Sequence, residues 1–319
     1  MCIRDRKKLF IFFVGVQFIF LSNINAQKVN YEIIHNDPSV GLSNAQLRLT
    51  TGLDLNSLTW IYLNIGLAGE ASIKNRLGVD LNIDYSYFNI ADISIDKTSV
   101  STGTYTYELG GFYFFSDKTK VGNQKVVLDT KTVYGRNSYS QTGTLTTYIT
   151  VPNTNLRYLT GVRGGLYLYG AIADSRNYVD KISGPYAGID NWTHYNATGI
   201  YVGLVRKKIA ALLIKTDNYG TCGSRGYSNK YYGDVLIAPI ISASSYMKGS
   251  DIDMSGVISK SPIGFRVGME NSPCSDKGKG ASIKFEVGYR PGIGAWYCSL
   301  TFGLKLLNRQ IGKLDSFAK

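Results

Sequence analysis

From Leu77 to Tyr87 every odd position is apolar or aromatic, and Gly78, Asp80, Asn82, Asp84 and Ser86 fill the positions between. Strict alternation over that length predicts a β-strand with one dry face and one wet face. The pattern returns near the C-terminus, where Ala281, Ile283, Phe285, Val287 and Tyr289 alternate with Ser282, Lys284, Glu286, Gly288 and Arg290. After Pro291-Gly292-Ile293-Gly294 it resumes on even numbers, from Trp296 through Cys298, Leu300, Phe302 and Leu304 to Leu306. Pairing Tyr289 with Trp296 brings Val287 onto Cys298, Phe285 onto Leu300, Ile283 onto Phe302 and Ala281 onto Leu304. Dry meets dry at every step, as a hairpin register fixed by one buried face requires.

Weaker copies run over 45–55, 61–67, 105–115, 156–168, 200–204 and 263–269, and 142–151, 208–217 and 232–243 are read as further strands. The expectation is roughly 12 strands, with about 10 and 14 as bounds. Helical spacing is not sustained over three turns anywhere, and no fixed-length repeat stands out, so the mature chain reads as one all-β domain. Alternating segments near ten residues long, together with 35 Gly and 24 Tyr, describe a transmembrane antiparallel β-barrel. A tilted membrane strand needs ~9–11 residues. The dry face then meets lipid and the wet face lines the interior. A soluble β-sandwich is the alternative, since it also alternates and hides its dry faces against each other. Gly and small polar residues on the wet faces favour the barrel.

In a barrel, Tyr289 and Trp296 sit at one height on the lipid face beside a turn, where an aromatic girdle belongs. The wet face supplies charged candidates of both signs: Asp80, Asp84, Glu108, Glu270 and Glu286 against Arg163, Arg266, Lys284, Arg290 and Lys305. Mixed signs suit a salt-bridged filling of a narrow barrel or the two walls of a general diffusion channel. The connections are harder to place. Those at 171–195, 218–231 and 271–280 read as long, those near 206–208 and 291–294 as short. Long loops facing outside would leave the C-terminus outside, at odds with an even-stranded barrel.

The N-terminus changes the compartment. Arg6-Lys7-Lys8 precedes the apolar run Leu9–Leu21, and Ser22-Asn23-Ile24-Asn25-Ala26 leads to an expected cut before Gln27. Basic, apolar and small-residue regions in that order predict a secretory signal peptide over 1–26. Met1-Cys2-Ile3-Arg4-Asp5 resembles a translated transposase end from sequencing-library preparation and is read as foreign. With 44% apolar and 18% charged residues, the chain is neither disordered nor a coiled coil.

The sequence resembles uncharacterised outer-membrane β-barrel proteins of the Bacteroidota type. The likeness rests on the Asn23-Ile24-Asn25-Ala26-Gln27 cut, the alternating strands, and the segments Gly233–Pro239, Ile263–Gly268 and Glu286–Gly292. It implies an outer-membrane location in a Gram-negative cell and brings no catalytic residues. One departure is the polar tail after Leu306, with Phe317 third from the end, where such barrels close on an aromatic-terminated strand.

Little catalytic chemistry is offered. Cys222 and Cys274 are read as loop residues on one side of the barrel and are candidates for a disulfide in an oxidising compartment. Cys298 faces lipid. His194, near Asp190, Trp192 and Tyr195, could act as a general base, although an exposed loop His is the plainer reading. Asp251 and Asp253 lack the further ligands calcium needs. No cofactor, metal or nucleic-acid partner is called for. The formal charge is +12, and residues 151–319 carry most of it, around Arg206-Lys207-Lys208, Lys277-Gly278-Lys279 and the tail. Glycolipid phosphates of the outer membrane or an anionic solute suit that excess. Two functions remain open: a passive, porin-like channel, and a closed barrel serving as a structural or adhesive platform. A non-enzyme is expected in either case.

Overall fold

A computed structural model of the chain describes residues 29–38, 44–56, 60–73, 76–90, 104–133, 143–174, 191–247, 260–273, 280–292 and 295–310. The expected signal peptide lies outside them. Eleven strands follow one another: β1 (Tyr31–His35), β2 (Asn44–Asn56), β3 (Trp60–Ile73), β4 (Leu77–Ile90), β5 (Tyr105–Val133), β6 (Gly143–Asp174), β7 (Asn191–Thr216), β8 (Gly220–Met247), β9 (Ile263–Pro273), β10 (Ala281–Arg290) and β11 (Ala295–Gln310). Each of β2 to β11 pairs antiparallel with its neighbour in sequence, and β11 returns to β2, so ten strands close into a barrel. β1 lies outside the ring, on the last residues of β7.

The β10–β11 hairpin takes the register that alternation dictates, with Tyr289 on Trp296 and Ala281 on Leu304. Ten closing strands fall at the lower bound of the expected number. Residues 142–151 and 156–168 proved to be one continuous β6, and 200–204 and 208–217 one continuous β7. Arg206-Lys207-Lys208 is therefore mid-strand, paired on both sides, and not a short connection. Residues 220–231, read as loop, belong to β8.

These corrections resolve the parity problem. β11 ends beside the start of β2, where Gln310 pairs with Asn44, and β1 lies on the closing residues of β7. Both are at one end of the barrel, the terminal end. The longest connections, 91–104, 175–190 and 248–262, join strand ends at the opposite, far end. Residues 274–280, grouped with the long loops from sequence, join strands at the terminal end.

The barrel is inside-out relative to a soluble protein. Outward side chains form an exposed apolar band around the ring, with Val79 at 57%, Leu109 at 58%, Leu166 at 62% and Leu204 at 65% exposed. Inward side chains are buried and largely polar, among them Arg48, Glu108, Arg163, Lys207 and Arg266, with an apolar cluster of Phe112, Phe114, Leu159, Val205 and Ile209 beside them. On β5 the outward apolar run spans Tyr107–Phe115, and nine residues tilted at ~40° rise about 23 Å, the height of a membrane band. A soluble protein rarely leaves so continuous an apolar surface in water.

β5 and β6 outrun the other strands and project past the terminal end as a hairpin, with Val133 on Gly143. There Val126, Leu128 and Val151 pack on Leu212, Ile214 and Cys222 of β7 and β8. Cys222 is a free, buried thiol whose Sγ lies 3.8 Å from the carbonyl oxygen of Leu128. It occupies a strand within an apolar cluster, which corrects its loop placement. Cys274 lies outside the described residues.

Candidate functional site: the barrel interior

Ten strands spaced ~4.8 Å apart and tilted ~40° enclose a backbone tube about 20 Å across. Arg, Lys, Glu and Tyr side chains reach roughly a third of that width, and groups from several walls converge on the interior and pair there. Three layers do so.

At the far end Arg290 of β10 makes a bidentate pair with Asp54 of β2, Nη2 to Oδ2 at 2.7 Å and Nη1 to Oδ1 at 3.2 Å. It also donates to the Tyr169 hydroxyl at 2.7 Å, and the Tyr169 and Tyr297 rings flank its guanidinium at 4.2 and 3.7 Å. Tyr62, Tyr195 and Tyr297 are all fully buried, and Tyr195 joins Tyr167, Tyr169 and Tyr201 in an aromatic cluster.

The middle layer centres on Arg266 of β9. Its Nε donates to Asp234 of the adjacent β8 at 2.6 Å, and Nη1 reaches across the barrel to Glu108 of β5. Glu286 accepts hydroxyl bonds from Tyr232 and Tyr297, each at 2.5 Å, with the Lys284 ammonium at 3.4 Å. Arg163 of β6 holds Asp80 of β4 at 3.1 Å and lies 3.7 Å from Asp234. The Tyr201 hydroxyl adds a bond to Asp80 at 3.3 Å.

At the terminal end Glu70 of β3 takes one ammonium on each oxygen, Lys207 of β7 at 2.7 Å and Lys230 of β8 at 2.9 Å. Arg48 of β2 pairs with Glu270 of β9. Nearer the middle layer, Asp84 accepts from Asn82 at 2.6 Å and from Thr50 at 3.2 Å. Lys305 is half-buried on the same inner face, opposite Arg48 in the β2–β11 register.

Glycine makes room for these rings. A Cβ on Gly268 would lie 2.3 Å from Cζ of Tyr232, and one on Gly78 2.1 Å from Cζ of Phe112. In both cases the ring belongs to the residue directly opposite on the neighbouring strand and lies flat over the bare backbone. Cavities remain between the layers, two of them of about 40 Å³ each. One is lined by Tyr167, Asn64 and Arg266 and the other by Arg48, Asp80 and Arg163; the Tyr167 hydroxyl, Asn64 Oδ1, Arg266 Nη2, Arg48 Nε, Asp80 Oδ1 and Arg163 Nε of these residues are buried with no hydrogen-bond partner among the described residues. Each has room for two or three waters, together with the polar partners that bound water needs.

The ten charged positions singled out from sequence all lie on the inner face. Sequence reasoning missed Arg48, Asp54, Glu70, Lys207, Lys230 and Asp234. The signal was available for Arg48 and Asp54, which alternate with Leu47, Leu49, Leu53 and Leu55. On the outer face Tyr289 and Trp296 are 5.8 Å apart and edge-on, and Phe265 joins them at 6.2 and 5.5 Å. His194 lies on β7, opposite Ile172 and Ser244, and Asp190 is outside the described residues. Among the described residues no group of His, Cys, Asp or Glu is placed to hold a metal.

No family model matches the chain, and no curated protein matches it. Solved structures similar to it include a triple mutant of the Rhodopseudomonas blastica porin, at 10% identity over 82% of this chain and 100% of that one, with a TM-score of 0.16. OmpT, an outer membrane protein of Vibrio cholerae, is 10% identical over 86% and 99%, with a TM-score of 0.17. The CymD monoaromatic hydrocarbon channel is 9% identical over 82% and 87%, also at 0.17. Superpositions this loose assign no activity to the chain.

Proposed function

We propose that the chain is a sealed outer-membrane β-barrel, exported through a cleaved signal peptide, that serves as a structural or adhesive platform. The observation that carries this reading is the interior: charged side chains pair from wall to wall in three successive layers and are nearly all buried. A water-filled pore leaves its wall charges exposed to the channel. Here Arg266 joins β9 to β5, Glu70 joins β3 to β7 and β8, and Arg290 joins β10 to β2 and β6. The exposed apolar band supports the membrane setting. An even strand number with both ends of the barrel sequence on one side supports a periplasmic terminal end, with the three long connections outside.

Porin-like conduction, the other function open from the sequence, requires these layers to part. Single-channel recording across a planar bilayer tests the choice, using residues 27–319 refolded and shown to be heat-modifiable on a gel. The expected record is silent. Discrete current steps from folded wild-type protein would overturn the sealed reading and favour a channel.

A further inference from the structure

We propose a binding site for an anionic phospholipid headgroup on the outer wall, at the terminal-end edge of the apolar band. It rests on the membrane setting of the barrel. Register alone places Lys118 of β5, Tyr158 of β6 and Lys208 of β7 side by side on three adjacent strands. One step nearer the band, Ser116, Thr160 and Arg206 form a parallel row. Beyond them the surface turns apolar at Val162 and Leu204, which are 42% and 65% exposed.

The cations of this patch differ from those inside. Arg48, Arg163, Lys207, Lys230, Arg266 and Arg290 each face a carboxylate, whereas Lys118, Arg206 and Lys208 make no ion pair with a described carboxylate. Arg206 and Lys208 instead stand 5.2 and 5.9 Å from the centre of the Tyr158 ring. Neighbouring strands are ~4.8 Å apart and alternate residues ~6.8 Å apart, so the three charges ring an area about 10 Å across. A single phosphate can take charge-assisted bonds from all three, with the Ser116 and Thr160 hydroxyls within the same area. Its acyl chains would run along Val162, Leu204 and Phe115. Tyr158 and Tyr231, opposite Arg206 on β8, sit at the depth that amphipathic rings prefer. A soluble phosphate has no use for the adjoining apolar wall, which is why the lipid is the favoured ligand.

The test uses the mature barrel in phosphatidylcholine vesicles containing phosphatidylglycerol, with insertion read by heat-modifiability on a gel. Retained lipid is then counted by native mass spectrometry after detergent extraction. A surface cation contributes about fivefold to anionic-lipid affinity, so R206Q/K208Q is expected to lower phosphatidylglycerol retention about 30-fold while inserting normally. K125Q/K131Q, which removes the same charge from the projecting β5 hairpin, is expected to retain wild-type levels. Equal loss in both double variants, or equal retention of phosphatidylcholine by wild type, would overturn the site. Displacement of the lipid by millimolar inorganic phosphate would reassign it to free phosphate. Failure of wild type to insert would instead sink the membrane reading, and the site with it.

Discussion

Arg266 is the residue on which the sealed interior depends most, and its removal gives the sharpest test. Truncation to Met keeps much of the side-chain length and discards the charge. Glu108 and Asp234 then lose a partner that reaches both of them, and Glu286 loses a positive charge 3.8 Å away. Arg163 remains 3.7 Å from Asp234 and offsets part of the loss, but among the described residues no second guanidinium pairs with Glu108. Breaking a buried ion pair from one side costs about 3–5 kcal/mol, because the remaining charge stays desolvated. With a denaturant slope of about 2–3 kcal/mol per molar, the urea midpoint in detergent micelles should fall by roughly 1–2.5 M with the slope unchanged. Neutralising both sides with E108Q/R266M should cost less than R266M alone, since the orphaned carboxylate is gone. If R266M unfolds within about 0.5 kcal/mol of wild type, the interior is wet enough to solvate Glu108 and the sealed barrel is the wrong description.

Other perturbations probe the walls and the projecting hairpin. G268V should displace the Tyr232 ring and break its 2.5 Å bond to Glu286; a loss of about 2–4 kcal/mol is expected in the same urea assay, and a neutral result would show that the ring does not lie over Gly268. L109R places a charge in the middle of the outward band and should cost about 2–4 kcal/mol for folding into vesicles, while the same change at Val127, on the projecting hairpin, should be nearly silent. Hydrogen bonds from Arg157 hold the Asp117 carboxyl below the usual carboxylate range. A lowered carboxyl pKa adds stability above the unfolded value, near pH 4, and that contribution disappears as pH falls through the folded value. D117N should therefore lose up to about 1 kcal/mol at pH 7, discounted for exposure, and nothing at pH 2; an equal loss at both would assign the effect to something other than charge.

The strands were legible wherever one face is purely apolar and the other purely polar. The β10–β11 register follows from matching dry residues alone, because a slip of one residue would put every apolar side chain on the charged side. Strand length was not legible in the same way. β6 carries Pro152 and Asn153, the latter at φ 55°, and that pair reads as a break in sequence. The chain instead turns locally there and keeps its pairing to β5 through a register shift between Gly122 and Gln124. Two apparent strands were in fact one, and so the count ran high. Which carboxylate meets which guanidinium was beyond reach, since Arg266 and Glu108 are 158 positions apart and only closure of the ring brings β9 opposite β5.

Arg206-Lys207-Lys208 shows how much the period of two decides once the strand is known to be continuous. Read as composition, three successive cations are one basic patch. Read as a strand continuing Ile200, Val202 and Leu204, the even members face outward and the odd one inward. The structure divides them that way, with Lys207 5% exposed and bonded to Glu70, and Arg206 and Lys208 against the outer ring of Tyr158. One residue of a single charge run thus helps to close the interior, while its two neighbours face the membrane edge. Charge counted along a barrel sequence says little until it is sorted by face. Sorted that way, the interior cations stand close to carboxylates, and part of the basic excess is carried by the outer wall.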